Sequence, residues 1–165
     1  MKSVTNFLKW VLFWKTQEKG LNGNVHSEKL FLDKIKEEFG LGDVDIKTYS
    51  PLTLAFIGDC VYDLIIRSIL VGGGNRNVNG LHKDKSNLVK AETQALMADK
   101  LKEHLTEEEA DVYKRGRNAK TVSHAKNAGL GQYHKATGLE ALFGYLYLKG
   151  EEDRILELVK LVLPQ

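Results

Sequence analysis

A chain of 165 residues with 42% apolar and 28% charged residues fits one domain with its own core, and the composition excludes a disordered or membrane-embedded class. The lone cysteine, Cys60, excludes a disulfide framework and a thiolate metal cluster, which suits a reducing cytoplasm. A net charge of +2 does not by itself argue for a nucleic-acid partner, so the placement of the charges carries more information than their sum.

Prolines occur only at positions 51 and 164, and apolar residues recur at helical rather than alternating spacing, which predicts an all-α fold. In the opening run MKSVTNFLKWVLFW, Val4, Phe7, Leu8 and Val11 share one helical face, widened by Trp10, Leu12, Phe13 and Trp14. The run is too short to span a bilayer, Lys9 interrupts it, and no small-residue cleavage site follows. Residues 1–24 are read as an amphipathic extension that packs on its own domain or on a partner subunit, with interfacial membrane contact as the alternative. Residues 25–165 are read as the domain proper.

Ser27 can cap a helix over Glu28 to Phe39, with Leu30, Phe31 and Ile35 on its buried side and Gly40 at its end. Ser50-Pro51 opens the most apolar helix, LTLAFIGDCVYDLIIRSIL, because serine caps well and the N–H that proline lacks would have no helical partner in the first turn. Apolar residues nearly encircle this helix, which predicts packing on several sides. Gly72 to Gly74 stop it and begin a loop through Asn75, Arg76 and Asn77. A helical segment from about Ser86 to Leu105 follows, with Leu88, Ala91, Ala95, Ala98, Leu101 and Leu105 facing inward. Thr106 and Glu109 form a capping box for the next helix, whose last turn carries Lys114 and Arg115 and which Gly116 ends. The loop RGRNAKTVSHAKNAG leads to a helix centred on TGLEALFGYLYL, closed by Gly150, and EEDRILELVKLVL forms the last helix, ending at Pro164.

Asp59 is the chemical anomaly. It sits mid-helix among Phe56, Ile57, Cys60 and Val61, where an unpartnered carboxylate would cost several kcal/mol or more, so it must be paired, metal-bound or open to a cleft. Gly58 beside it costs about 1 kcal/mol relative to alanine, which predicts a close backbone approach. Asp63 lies one turn on, and an ordinary i,i+4 ion pair with Arg67 accounts for it. Glu140 repeats the pattern among Leu139, Ala141, Leu142 and Phe143, with Gly144 one turn later. Two apolar helices, each with one acid beside one glycine, predict a crossing at which both acids meet. Such a pair can bind Mg²⁺ through oxygen ligands while waters and substrate phosphates complete the octahedron. Buried structural carboxylates are the alternative.

Arg115, Arg117, Lys120 and Lys126 cluster with Gly116, Asn118 and Asn127, and His82, Lys83 and Lys85 form a second basic group. Long basic side chains on such a loop suit phosphates, and the lack of interleaved aromatics favours a duplex over a stacked single strand. No P-loop, HExxH or GxSxG is present, and the histidines lack metal-ligand spacing.

The run LAFIGDCVYDLIIRSIL resembles the signature helix of ribonuclease III, with the core E-F-L-G-D-A-V-L-E-L. LHKDKSNLVKAETQA, LTEEEADVYKRGRNAK and ATGLEALFGYLYLKG are similar to Mini-ribonuclease III, the short form without a separate double-stranded-RNA-binding domain. The resemblance covers about Tyr49 to Val162 and implies a ribonuclease III-like helical domain. It implies that Asp59 is the catalytic aspartate and Glu140 the glutamate of the second acidic motif, both Mg²⁺ ligands. Asp63 and Thr137 would stand behind them, and His82, Lys83, Arg115, Arg117, Asn118, Lys120 and Lys126 would contact RNA. It further implies a homodimer with Phe56 at the interface, and Mg²⁺-dependent cleavage of double-stranded RNA to 5′-phosphate and 3′-hydroxyl ends. The usual substrate would be precursor 23S ribosomal RNA, met in a ribosomal precursor particle or beside a ribosomal protein. Ala55 and Thr137 stand where full-length ribonuclease III has further acids. The competing readings are a non-catalytic RNA-binding module on the same fold and a helical adaptor that uses the Trp10/Trp14 face.

Overall fold

The computed structural model describes residues 30–120 and 129–163. The expectations for residues 1–24, the Ser27 cap, Lys126 and Pro164 lie outside them. Seven α-helices form, and no strand occurs among the described residues. They are α1 (Phe31–Glu38), α2 (Pro51–Gly72), α3 (Val78–Val89), α4 (Ala91–Leu101), α5 (Glu107–Arg117), α6 (Leu130–Leu148) and α7 (Glu152–Val162), with short 3₁₀ turns at Ile46–Thr48 and Lys102–His104.

The expected starts of α2 and α5 are both present. Ser50 accepts the Thr53 N–H at 3.0 Å, with Pro51 in the first turn. Thr106 accepts from the Glu109 N–H at 3.2 Å, and the Glu109 carboxylate receives the Thr106 N–H at 2.8 Å. Glu109 also receives Nε of Arg154 at 2.8 Å and its Nη2 at 3.0 Å, a bidentate clamp that ties α7 to α5. Hydrogen bonds to both oxygens hold this buried acid ionised, below the usual carboxylate range, with Arg154 the main cause.

α6 is the central helix. Leu139, Ala141, Leu142, Phe143 and Leu146 on it are fully buried, and it packs against α2, α4, α5 and α7. Tyr62 of α2 stacks on Phe143 with ring centroids 5.6 Å apart, and its hydroxyl donates to the Leu88 carbonyl at 3.1 Å.

Four local expectations differ from the structure. Residues 78–85 are helical, because Asn77 caps α3 by accepting the Asn79 N–H at 2.9 Å, while Leu81 and Leu88 pack against the core. The expected continuous helix from Ser86 breaks at Lys90, whose ψ of 148° is extended. Side chains answer the carbonyls at that break: Thr93 Oγ1 donates to Asn87 O at 2.7 Å and Gln94 Nε2 to Val89 O at 3.0 Å. Gly116 does not end α5 but is buried within it, since a Cβ there would fall 2.6 Å from the Ala141 Cβ on α6. Phe31, expected on the buried side of α1, is exposed.

Candidate functional site

Where α2 crosses α6, both helices carry glycine because neither can carry anything else. A Cβ on Gly58 would collide with the Glu140 carbonyl and come within 2.6 Å of the Gly144 nitrogen. One on Gly144 would strike the Leu54 carbonyl. The backbones therefore nearly touch, and Asp59, the residue after Gly58, comes near enough for its charge to act on Glu140.

The two acids differ in environment. Glu140 is half-buried, and its titration is pushed up to about 7, first by burial and then by the negative charge of Asp59, against a hydrogen bond from Gln94 that favours ionisation. Asp59 is exposed, so its apolar neighbours in sequence are not its surroundings in space. The outer side of α2 is open: Leu52 is 39%, Phe56 78% and Leu64 61% exposed. The expectation that α2 is enclosed on several sides holds only for its inner face, where Leu54, Tyr62, Ile66 and Leu70 are buried.

Asp63 is occupied structurally. It pairs with Arg67 on its own helix and with Lys85 of α3 at 2.6 Å. Burial acts to raise its titration, but the two cations together hold it below the usual range. Thr137 is buried and turns its hydroxyl back to the Tyr133 carbonyl at 3.1 Å, so neither residue adds an oxygen to the acidic pair. Sequence reasoning missed Gln94, which is buried on α4 and donates to Glu140 Oε1 at 3.1 Å. No local signal marks it, because its partner lies 46 positions away.

The basic residues lie at the end of α5 and on α3. Arg115 and Arg117 are exposed in the last turn of α5, with Asn118 and Lys120 exposed just beyond. None of the three cations forms an ion pair among the described residues. His82 and Lys83 are exposed on α3, while the neighbouring Lys85 is committed to Asp63.

A divalent ion fits the donor set. Two carboxylates, one pushed toward neutrality by burial first and by the other's charge second, gain from a shared cation, and one of them faces solvent. Among the described residues no group of three or more His, Cys, Asp or Glu side chains forms a cage. Such an ion would keep most of its coordination for water and substrate oxygens, the habit of Mg²⁺.

The sequence matches the ribonuclease III domain family over residues 52–151. It is 44% identical over 120 residues to the Mini-ribonuclease 3 of Clostridium tetani, across 72% of this chain and 80% of that protein. Identity to the Mini-ribonuclease 3 of Brevibacillus brevis is 49% over 111 residues, across 67% and 83% of the two chains. A crystal structure of a protein from Fusobacterium nucleatum superposes with a TM-score of 0.68 at 33% identity, covering 73% of this chain and 98% of that one.

Proposed function

The chain belongs to the ribonuclease III domain family and is a ribonuclease III-type endoribonuclease; on that premise we propose that Asp59 and Glu140 together hold the Mg²⁺ with which it hydrolyses double-stranded RNA. The observation that carries this reading is the crossing of α2 and α6 at Gly58 and Gly144, with the charge of Asp59 acting on Glu140.

The reaction adds water across a phosphodiester: the P–O3′ bond breaks, the phosphate stays on the 5′ end of one product, and the 3′ oxygen of the other takes a proton. A divalent ion supplies activation of water and neutralisation of charge at phosphorus and the departing oxygen. Glu140 and Asp59 set where that chemistry occurs, because the glycine contact fixes their backbones. Arg115, Arg117, Asn118 and Lys120 bind backbone phosphates and orient the duplex, and His82 and Lys83 of α3 add a second contact. Lys126 belongs to the same set by its place in the sequence. Phe56 packs into a second copy, so that two sites face opposite strands. The cellular substrate in this reading is the end-pairing stem of precursor 23S ribosomal RNA, in the cytoplasm, within a ribosomal precursor particle or beside a ribosomal protein. No described helix is long and apolar enough to cross a membrane.

The test is digestion of a synthetic RNA duplex with and without Mg²⁺, with the product ends mapped. Asp59→Asn and Glu140→Gln should each slow cleavage at least about a hundredfold, beyond the usual cost of an outer-sphere partner, while duplex affinity stays near that of the unaltered protein. Retained cleavage in either variant overturns the assignment. Binding without cleavage by the unaltered protein would establish the RNA-binding module instead. We also divide the chain at residue 24, so deletion of residues 1–24 should leave duplex cleavage intact.

A further inference from the structure

Gln94 of α4 is 2% exposed, and neither of its amide hydrogens reaches water. Nε2 donates to the Val89 carbonyl at 3.0 Å and to Glu140 Oε1 at 3.1 Å. Its Oε1 is buried with no donor among the described residues. The orientation of the amide follows from its neighbours. A main-chain carbonyl and a carboxylate both accept, so the NH₂ must face them; the reversed amide would set three acceptors together.

Val89 ends α3, where a helix leaves carbonyls without N–H partners. Bracing that end explains one of the two hydrogen bonds. It does not explain why the second hydrogen is spent on an acid at the α2–α6 crossing. The break at Lys90 and the carboxylate are thus joined through one planar group.

We infer that Gln94 is a positioning residue for the catalytic glutamate: anchored on Val89 O, its amide fixes one carboxylate oxygen of Glu140 and so the rotamer in which Glu140 and Asp59 together receive a divalent cation. The inference rests on the reading of Asp59 and Glu140 as that cation's ligands. Gln94 itself touches neither substrate nor ion.

The test uses the full chain without RNA and Mn²⁺ as probe, with free Mn²⁺ followed by electron paramagnetic resonance. Gln94→Met keeps the length and helix preference of the side chain and removes the amide. It should weaken Mn²⁺ binding by about 10- to 100-fold, the usual cost of losing an outer-sphere partner, with duplex affinity in EDTA unchanged. Cleavage by this variant should recover at high Mg²⁺, which a folding defect would not allow. Asp59→Asn separates the two levels. If it loses Mn²⁺ while Gln94→Met binds like the unaltered protein, Gln94 only braces the α3–α4 junction and the inference falls. If Asp59→Asn binds Mn²⁺ normally, the ligand assignment fails first and takes the inference with it. Should Gln94→Met not fold, the unaltered protein answers: the Gln94 side-chain amide resonances must shift on Mg²⁺ addition with the midpoint of Mg²⁺ binding, and an unmoved amide overturns the inference.

Discussion

Glu140 pays for its position in a currency that can be measured without RNA. Its titration moves from 4.5 up to about 7, through burial first and the Asp59 charge second. Between those values the folded, metal-free protein keeps a proton that the unfolded chain has released. The stabilising share of this group is therefore complete below about pH 4.5 and is lost as pH rises through 7, a difference of about 3 kcal/mol. Glu140→Gln removes the titration. In EDTA at pH 8 it should melt above the unaltered protein, with the gap closing toward pH 5; a gap independent of pH would show that Glu140 is not the group responsible. Arg117 makes a separate residue-level prediction. Exposed at the end of α5 with no ion pair among the described residues, it is free for one phosphate. Arg117→Ala should weaken duplex binding and reduce the slope of log affinity against log salt by about one, read from titrations at several ionic strengths.

At the scale of elements, the α2–α6 crossing distinguishes a glycine that helices need from one they merely tolerate. Alanine ordinarily stabilises a helix interior by about 1 kcal/mol over glycine. At Gly58 the added methyl has nowhere to go, since backbone atoms of Glu140 and Gly144 occupy the space. Gly58→Ala should therefore destabilise by about 1–3 kcal/mol, the usual cost of overpacking, and lower cleavage by displacing Glu140 from Asp59. Gly80, in the first turn of α3, has nothing within 4 Å of the same position. Gly80→Ala should be neutral or stabilising by up to about 1 kcal/mol. Urea unfolding of both variants checks the contrast; equal behaviour would mean that the crossing is loose.

For the whole molecule, the outer side of α2 bears on assembly. Leu52, Phe56, Cys60 and Leu64 follow at four-residue steps and are all exposed, beside the exposed Asp59. A helix that is apolar over most of its circumference yet covered on one side only leaves a stripe that suits a second copy. Phe56→Asp should convert a dimer to a monomer in light scattering and reduce coordinated cutting of both strands, leaving the far-UV spectrum unchanged. A dimer that survives this substitution would place the interface elsewhere.

Much of this architecture is written locally. The Ser50 and Thr106 caps, the helical apolar spacing and the two acids beside glycines are legible because each depends on atoms within about one turn of chain. The family resemblance rested on those same short stretches. What required the folded chain were relations across it: that Asp59 opens to solvent despite its greasy neighbours, that Gly116 serves a contact with Ala141 rather than a helix end, that α3 and α4 part at Lys90, and that Gln94 reaches Glu140. Each of these is settled by which distant segment arrives alongside, and burial, steric contact and hydrogen-bond partners across 46 positions leave no periodic trace in the residues themselves.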